Sequence, residues 1–440
     1  MNKGFYFILV SVKKLRGMLD RMKWLRSEVI SFVVFIALTI VSILELFEVI
    51  KNQEVTMIAV GKEVLPFLVG LIGAFISFLK LFFSYRLDLH LTPNPKISTD
   101  DLVLPIDFQL DEFEIDYQKN TQAIIYNPKV NLLLNDAKNT IVLQEDSFDI
   151  HPVARKNLIY LFRKMPDFSS ETFDQTKVRL TQELTESLLR STKSINVQKT
   201  SYYRDRLSNS LANYKLVQNR HVILNLRDEF LNPQNNEVLP LNESKLSNQL
   251  GASTLLVTGD KKIVFLMQGK GTNENKKRWA PSGSGSFDFV RPTSGQLFTD
   301  YCLEQAKREL REESNIEEKD IKKIAICGFG RYIYRNGKPE IFCLATTDRE
   351  SSEIKIRLKE WDYQDKSKIN ALELPETQNK TNLLLGLKGA MDHLNQITSR
   401  VPSGNREEES VSGPLYWNVK FAYEYVQSLS EESLASFFDW

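Results

Sequence analysis

A chain of 440 residues with a formal net charge of +1 is long enough for two or three domains and presents no global basic field. DNA binding through net charge is thereby excluded as an expectation. Three cysteines, Cys302, Cys327 and Cys343, are spaced for neither a disulfide framework nor a zinc site, and their odd number points to reduced thiols acting as small core residues.

Residues 1–28 form a basic segment carrying Lys3, Lys13, Lys14, Arg16, Arg21, Lys23 and Arg26. After it, no charged residue occurs from Val29 to Leu44, nor again from Val64 to Leu79. Extended to about 29–50 and 58–83, these runs predict two transmembrane helices within 29–86. A buried hairpin of a soluble core is the alternative, but "SFVVFIALTIVSIL" is apolar on every face, and a soluble helix keeps one side polar. The excess of Lys and Arg outside the pair predicts that both termini are cytoplasmic. Gly70, Gly73, Ala74 and Ser77 make a small-residue ridge on the second run, suited to close helix approach or simply part of the glycine enrichment of membrane helices.

Residues 97–245 read as an α+β intermediate region. "LVLPIDFQL", "AIIYN" and "HVILNL" are strand-like, and Leu180, Leu184 and Leu188 step by four within a predicted helix from Val178 to Leu189. "SYYRDRLSN" has the aromatic, arginine and asparagine mix of a ligand-facing loop, which packed surface would explain equally.

From about 246 to 440 the texture changes. "STLLVTGDKKIVFLMQ" predicts a hairpin, and "RYIYRNGKPEIFCLATT" a second one turning at Asn336 and Gly337. Between them a helix is expected from about 300 to 314, with Thr299 as N-cap and Asn315 as a left-handed terminus. Leu303, Ala306 and Leu310 form its buried stripe, while Glu309, Glu312 and Glu313 share an adjacent arc. Mutual repulsion destabilises three converging carboxylates unless a positive group sits among them, and a hard divalent cation is one candidate. A solvated glutamate face is the other reading, with Arg308 pairing to Glu304 and Glu312. Upstream, "PSGSGS" combines Gly283 and Gly285 with Ser282, Ser284 and Ser286, a composition suited to cradling phosphate through backbone N–H groups or to a flexible linker.

"RELREESNI", Arg308 to Ile316, resembles the second half of the Nudix box, with Asn315 where that family has glycine and Asp300 where it has an earlier glutamate. The resemblance implies a Nudix-like α+β domain in which Glu309, Glu312 and Glu313 hold magnesium and serve catalysis. The segment between Gly283 and Asp300 is longer than in that family, which predicts a loop drawn away from the carboxylates. Together with the apolar runs, the sequence resembles the two-transmembrane Nudix proteins associated with SMODS-type cyclic-nucleotide synthases. That resemblance implies a membrane effector of a bacterial CBASS antiphage system, multi-pass in the inner membrane, contacting lipid and oligomerising with itself when a cyclic oligonucleotide from the synthase binds, its transmembrane helices then disrupting that membrane. Ser282, Gly283, Ser284, Gly285, Ser286 and Arg308 are the expected ligand contacts. The alternative is a membrane-anchored, magnesium-dependent Nudix hydrolase of nucleoside-diphosphate-linked compounds.

Overall fold

The protein is described by a computed structural model over residues 89–165, 174–268, 278–354, 369–374, 379–400 and 410–438. The chain divides into two compact units. The strands Leu89–Pro93, Tyr214–Gln218 and His221–Asn225, most of whose residues belong to the smaller, pair in that order as a three-stranded sheet.

The larger unit is built on a ten-stranded sheet. Its strands are Gln109–Glu114 (β1) and Thr121–Tyr126 (β2); two others, Ile141–Ser147 (β3) and Thr176–Leu180 (β4), join Ile195–Ser201 (β5) in a separate sheet ordered β3-β5-β4. The main sheet continues with Gly251–Val257 (β6), Lys262–Met267 (β7), Arg278–Ala280 (β8), Gly283–Ser286 (β9), Ile321–Tyr332 (β10), Lys338–Thr347 (β11), Ile369–Glu373 (β12) and Ser410–Val411 (β13). Its order is β13-β8-β7-β6-β11-β10-β2-β1, with β9 added to β6 and β12 to β7. Pairing is antiparallel except for β6 with β11 and β8 with β13.

Both expected hairpins are present, β6 with β7 and β10 with β11. The second turns where Asn336 and Gly337 both take positive φ, 50° and 81°, a conformation asparagine and glycine reach at least cost.

Alternation along the central strands sends side chains to two cores. In β11, Ile341 and Cys343 join one hydrophobic cluster while Phe342 and Leu344 join the other. One face is covered by the helix Phe298–Ser314 (α1) through Phe298, Tyr301, Cys302 and Ala306. The opposite face receives Lys380–Ser399 (α2) and Gly413–Ser428 (α3), whose Leu387, Ala390, Leu394, Trp417 and Phe421 pack against Phe342 and Leu344. Each such large apolar side chain contributes about 1.5–3 kcal/mol on full burial, so this sandwich fixes where α1 lies on the sheet. All three cysteines are buried and free.

Three expectations are corrected. The predicted helix from Val178 to Leu189 is instead the strand β4 followed, after a loop, by the short helix Glu186–Leu189. Backbone pairing of Thr176 through Leu180 with β5 overrides the four-residue leucine step. The fold class of a Nudix-like α+β domain behind a transmembrane hairpin is corrected to its α+β part, because no helix among the described residues is long and apolar enough to cross a membrane. On the same finding the multi-pass inner-membrane placement with cytoplasmic termini is not retained. The physical reason is visible in α2, whose 20 residues bury one apolar stripe but also carry Lys380, Lys388 and Asp392. The two apolar runs at about 29–50 and 58–83 lie outside the described residues.

Candidate functional site

Helix α1 begins two residues earlier than the pattern predicts. Its N-cap position is Leu297, without a side-chain cap. The Thr299 hydroxyl donates instead to the Leu134 carbonyl at 2.8 Å, tying the helix to a distant segment. Asn315 ends the helix with φ of 55°, the left-handed terminus expected of asparagine. The apolar stripe on the sheet side leaves Gln305, Glu309 and Glu313, spaced by four, on one buried line. Leu303 is only half-buried, and Asp300 stands exposed in the first turn, outside the carboxylate cluster.

At the cluster's centre is Arg308. Its Nη1 lies 2.6 Å from Glu312 Oε2 and 3.1 Å from Asp288 Oδ2, and its Nη2 pairs with Glu309. Nη2 also donates to the Ser286 carbonyl at 3.2 Å, and Nε to Gln305 Oε1 at 3.2 Å. Lys177 Nζ approaches Asp288 Oδ1 at 2.5 Å from β4. Of the two partners expected for Arg308, Glu312 is found; Glu304 accepts from Gln296 instead. The positive group among the box carboxylates is therefore a guanidinium, one whose planar fork suits several carboxylates at once.

"PSGSGS" forms strand β9 rather than an open loop. Gly283 through Ser286 pair with Thr254 through Gly251, and the Ser284 N–H donates to Glu313 Oε2 at 2.7 Å. A Cβ on Gly283 would lie 2.7 Å from the Leu310 nitrogen, and one on Gly285 would meet the Glu309 carboxylate. Glycine is required here because α1 crosses this strand at backbone distance. The Ser282 hydroxyl accepts from Leu256 N at 2.9 Å and donates to the Val264 carbonyl at 2.6 Å, joining β6 to β7. The long segment before α1 thus returns to the helix, and the turn lies against the carboxylates.

The donor set bears on metal binding. Among the described residues no group of three or more His, Cys, Asp or Glu side chains is arranged to hold a metal ion. One oxygen each of Glu309 and Glu312 is engaged by Arg308, and one of Glu313 by the Ser284 amide, so a hard cation would compete with these donors for the carboxylates. As placed, these residues do not fit the magnesium that the box resemblance implies.

Glu309 carries a pH dependence. Burial, only partly offset by Arg308, pushes its carboxyl up to about 7. Between the ordinary glutamate range and about 7 the folded protein binds more protons than the unfolded chain, so stability falls as pH rises; below that window and above it this group adds no slope. The expected loss across the window is about 3 kcal/mol. Urea denaturation from pH 4 to pH 8 checks it: Glu309→Gln should flatten the profile, and an unchanged slope in that variant would exclude Glu309 as its source.

No family model matches the chain, and no curated protein does. Solved structures similar to it include Nudix hydrolases. A bifunctional NMN adenylyltransferase/ADP ribose pyrophosphatase from Francisella tularensis is 18% identical over 29% of this chain and 34% of its own, with a TM-score of 0.21. This chain thus spans about a third of that enzyme. A second structure of the same enzyme is complexed with AMP and a manganese ion. A C. elegans Ap4A hydrolase is 13% identical over 41% of this chain and 99% of its own (TM-score 0.23), and the M. smegmatis Nudix hydrolase RenU is 11% identical over 36% and 91% (TM-score 0.21).

A second feature includes "SYYRDRLSN", the stretch expected to be either a ligand-facing loop or packed surface. Arg206, Arg278, Arg335 and Lys338 line a cavity of about 220 Å³. They come from three separated stretches, one of them "SYYRDRLSN", where the density of arginine and asparagine was the signal available.

Proposed function

We propose that this protein is a nucleotide receptor on a Nudix-like fold, which binds its ligand without turning it over efficiently. One observation carries the reading. Arg308 takes up Glu309, Glu312 and Asp288 together, leaving the box carboxylates stabilised by the protein's own cation. A hydrolytic site needs such carboxylates available to substrate or water; a receptor needs only a rigid frame, which this cluster supplies by locking α1 to β9. The resemblance to CBASS effectors supports a cyclic oligonucleotide as the ligand, made by a partner synthase, and self-association as the response to binding.

The test pairs two assays on the full-length protein. Calorimetric titration with a panel of cyclic di- and trinucleotides is expected to give saturable binding of at least one. Incubation with Ap4A or ADP-ribose and magnesium or manganese is expected to give no turnover above background. Metal-dependent turnover lost in Glu312→Gln would overturn the receptor reading in favour of a hydrolase, and the absence of any cyclic-nucleotide binding would overturn the choice of ligand.

A further inference from the structure

The basic cavity lies apart from the box carboxylates in sequence. Its walls are the segment around Tyr202–Asp205 and the turns that follow it, Arg278 at the start of β8, Gln122 in β2, and the β10–β11 turn with Tyr334, Arg335 and Lys338. Four cationic side chains face it. Among the described residues the acidic groups around them include Asp205 in the wall, Glu340 paired to Lys338 at 3.1 Å, and Asp116, which acts on Arg278. Arg206 is 5% exposed and Lys338 4%, so the cavity presents guanidinium and ammonium donors from a largely dehydrated wall, where charge-assisted hydrogen bonds to an anionic ligand are stronger than at a solvated surface.

A further polar atom points to the same conclusion. The buried hydroxyl of the cavity-lining Tyr334 has no hydrogen-bond partner in the protein and can donate to a phosphate oxygen. Buried polar groups are otherwise nearly always paired. The walls are also rigid. Asn209 Nδ2 donates to Asn248 Oδ1 and to the Arg335 and Asn336 carbonyls, each at 3.3 Å, and Asn336 Nδ2 donates back to the Asn209 carbonyl at 2.9 Å and to Asn213 Oδ1 at 3.0 Å. A preformed site avoids the ordering cost of binding.

We propose that this cavity binds the phosphate portion of a nucleotide ligand. Guanidinium forks match phosphate oxygens in bidentate geometry. The volume, about 220 Å³, is below the roughly 300–1,000 Å³ of pockets that enclose a whole small molecule, so a phosphate or diphosphate group enters and the remainder of the ligand stays outside. The assignment deepens the receptor reading and rests on it for the nucleotide, though not for the phosphate.

The test uses the full-length protein with pyrophosphate and, separately, with whichever cyclic nucleotide binds. Hydrogen exchange should show protection at 202–213 and 333–338 on adding pyrophosphate, while 283–286 and 305–313 stay unchanged. Arg278→Gln and Arg335→Gln, with thermal unfolding measured to establish that they fold, should each weaken pyrophosphate about tenfold or more, as expected for loss of a charge-assisted hydrogen bond. Absence of pyrophosphate binding at millimolar concentration, or protection confined to 283–286 and 305–313, would overturn the assignment. A cyclic nucleotide that binds folded Arg278→Gln and Arg335→Gln as tightly as wild type would overturn the cavity while sparing the receptor. Pyrophosphate protection at the cavity with no cyclic nucleotide bound would sustain the cavity and overturn the cyclic-nucleotide ligand.

Discussion

Gly283→Val is expected to abolish cooperative folding, not merely to disable one site. Strand β9 runs under α1 so closely that a Cβ at Gly283 would lie 2.7 Å from the Leu310 nitrogen, 2.9 Å from the Leu310 Cα and 3.0 Å from the Glu309 carbonyl carbon. These are backbone atoms of a helix seated on the sheet and cannot rotate aside. Nor can the strand withdraw, because Gly283 pairs with Thr254 and the neighbouring Ser282 hydroxyl is bonded to both β6 and β7. Overpacking of this kind costs about 1–3 kcal/mol where side chains can yield, and more where backbone must move, against a total stability of about 5–15 kcal/mol for a typical domain. Gly285→Ala should cost less, since the added methyl meets the Glu309 carboxylate, the end of a side chain, at the expense of the Arg308 pair. Urea unfolding followed by circular dichroism distinguishes them: loss of the transition in Gly283→Val with a shifted but intact transition in Gly285→Ala is expected. A wild-type midpoint for Gly283→Val would refute the helix–strand approach.

Removing Arg331 is expected to cost about 3–5 kcal/mol, the range for leaving a buried charge without its partner. Arg331 is completely buried. Its Nη1 lies 2.6 Å from Glu183 Oε2, Nη2 donates to the Leu239 carbonyl at 2.9 Å, and Nε to the Gly337 carbonyl at 3.3 Å. Glu183 in turn accepts from the Leu241 N–H at 3.1 Å. One guanidinium thus joins β10, the β10–β11 turn and two loops distant in sequence. In Arg331→Met the Glu183 carboxylate would remain buried and uncompensated, so the urea midpoint should fall by about 1–2 M, at a slope of roughly 3 kcal/mol per molar for a unit of this size. The pair should couple strongly: Glu183→Gln added to Arg331→Met should recover part of the loss, because a neutral amide is less costly to bury than an unpaired charge. Simple additivity of the two losses would show that the ion pair is not what holds these segments.

The sequence alone determined those features that depend on neighbours along the chain. Asn336 and Gly337 placed the β10–β11 turn because both residues accept positive φ, and Asn315 placed the end of α1 for the same reason. The box glutamates fell on a helix between two hairpins because helical period and turn chemistry are local properties. Where a local pattern admitted two answers, tertiary pairing chose. Leu180, Leu184 and Leu188 satisfy a helical step, yet Leu180 belongs to a strand because β5 lies beside it. The composition of "PSGSGS" suits a phosphate loop, but its glycines serve the approach of α1, and its Ser284 amide is already bonded to Glu313. Composition could show that a positive group was needed among the carboxylates; only packing revealed that Arg308, on the same helix, supplies it. Of the basic cavity, only the stretch "SYYRDRLSN" carried a local signal. Gln122, Arg206, Arg278 and Lys338 are separated by scores of residues, and no periodicity relates them. They line one cavity although β2 and β8 stand five places apart in the sheet order, and burial there, unlike the solvated charge the sequence would suggest, is what makes their common sign consequential.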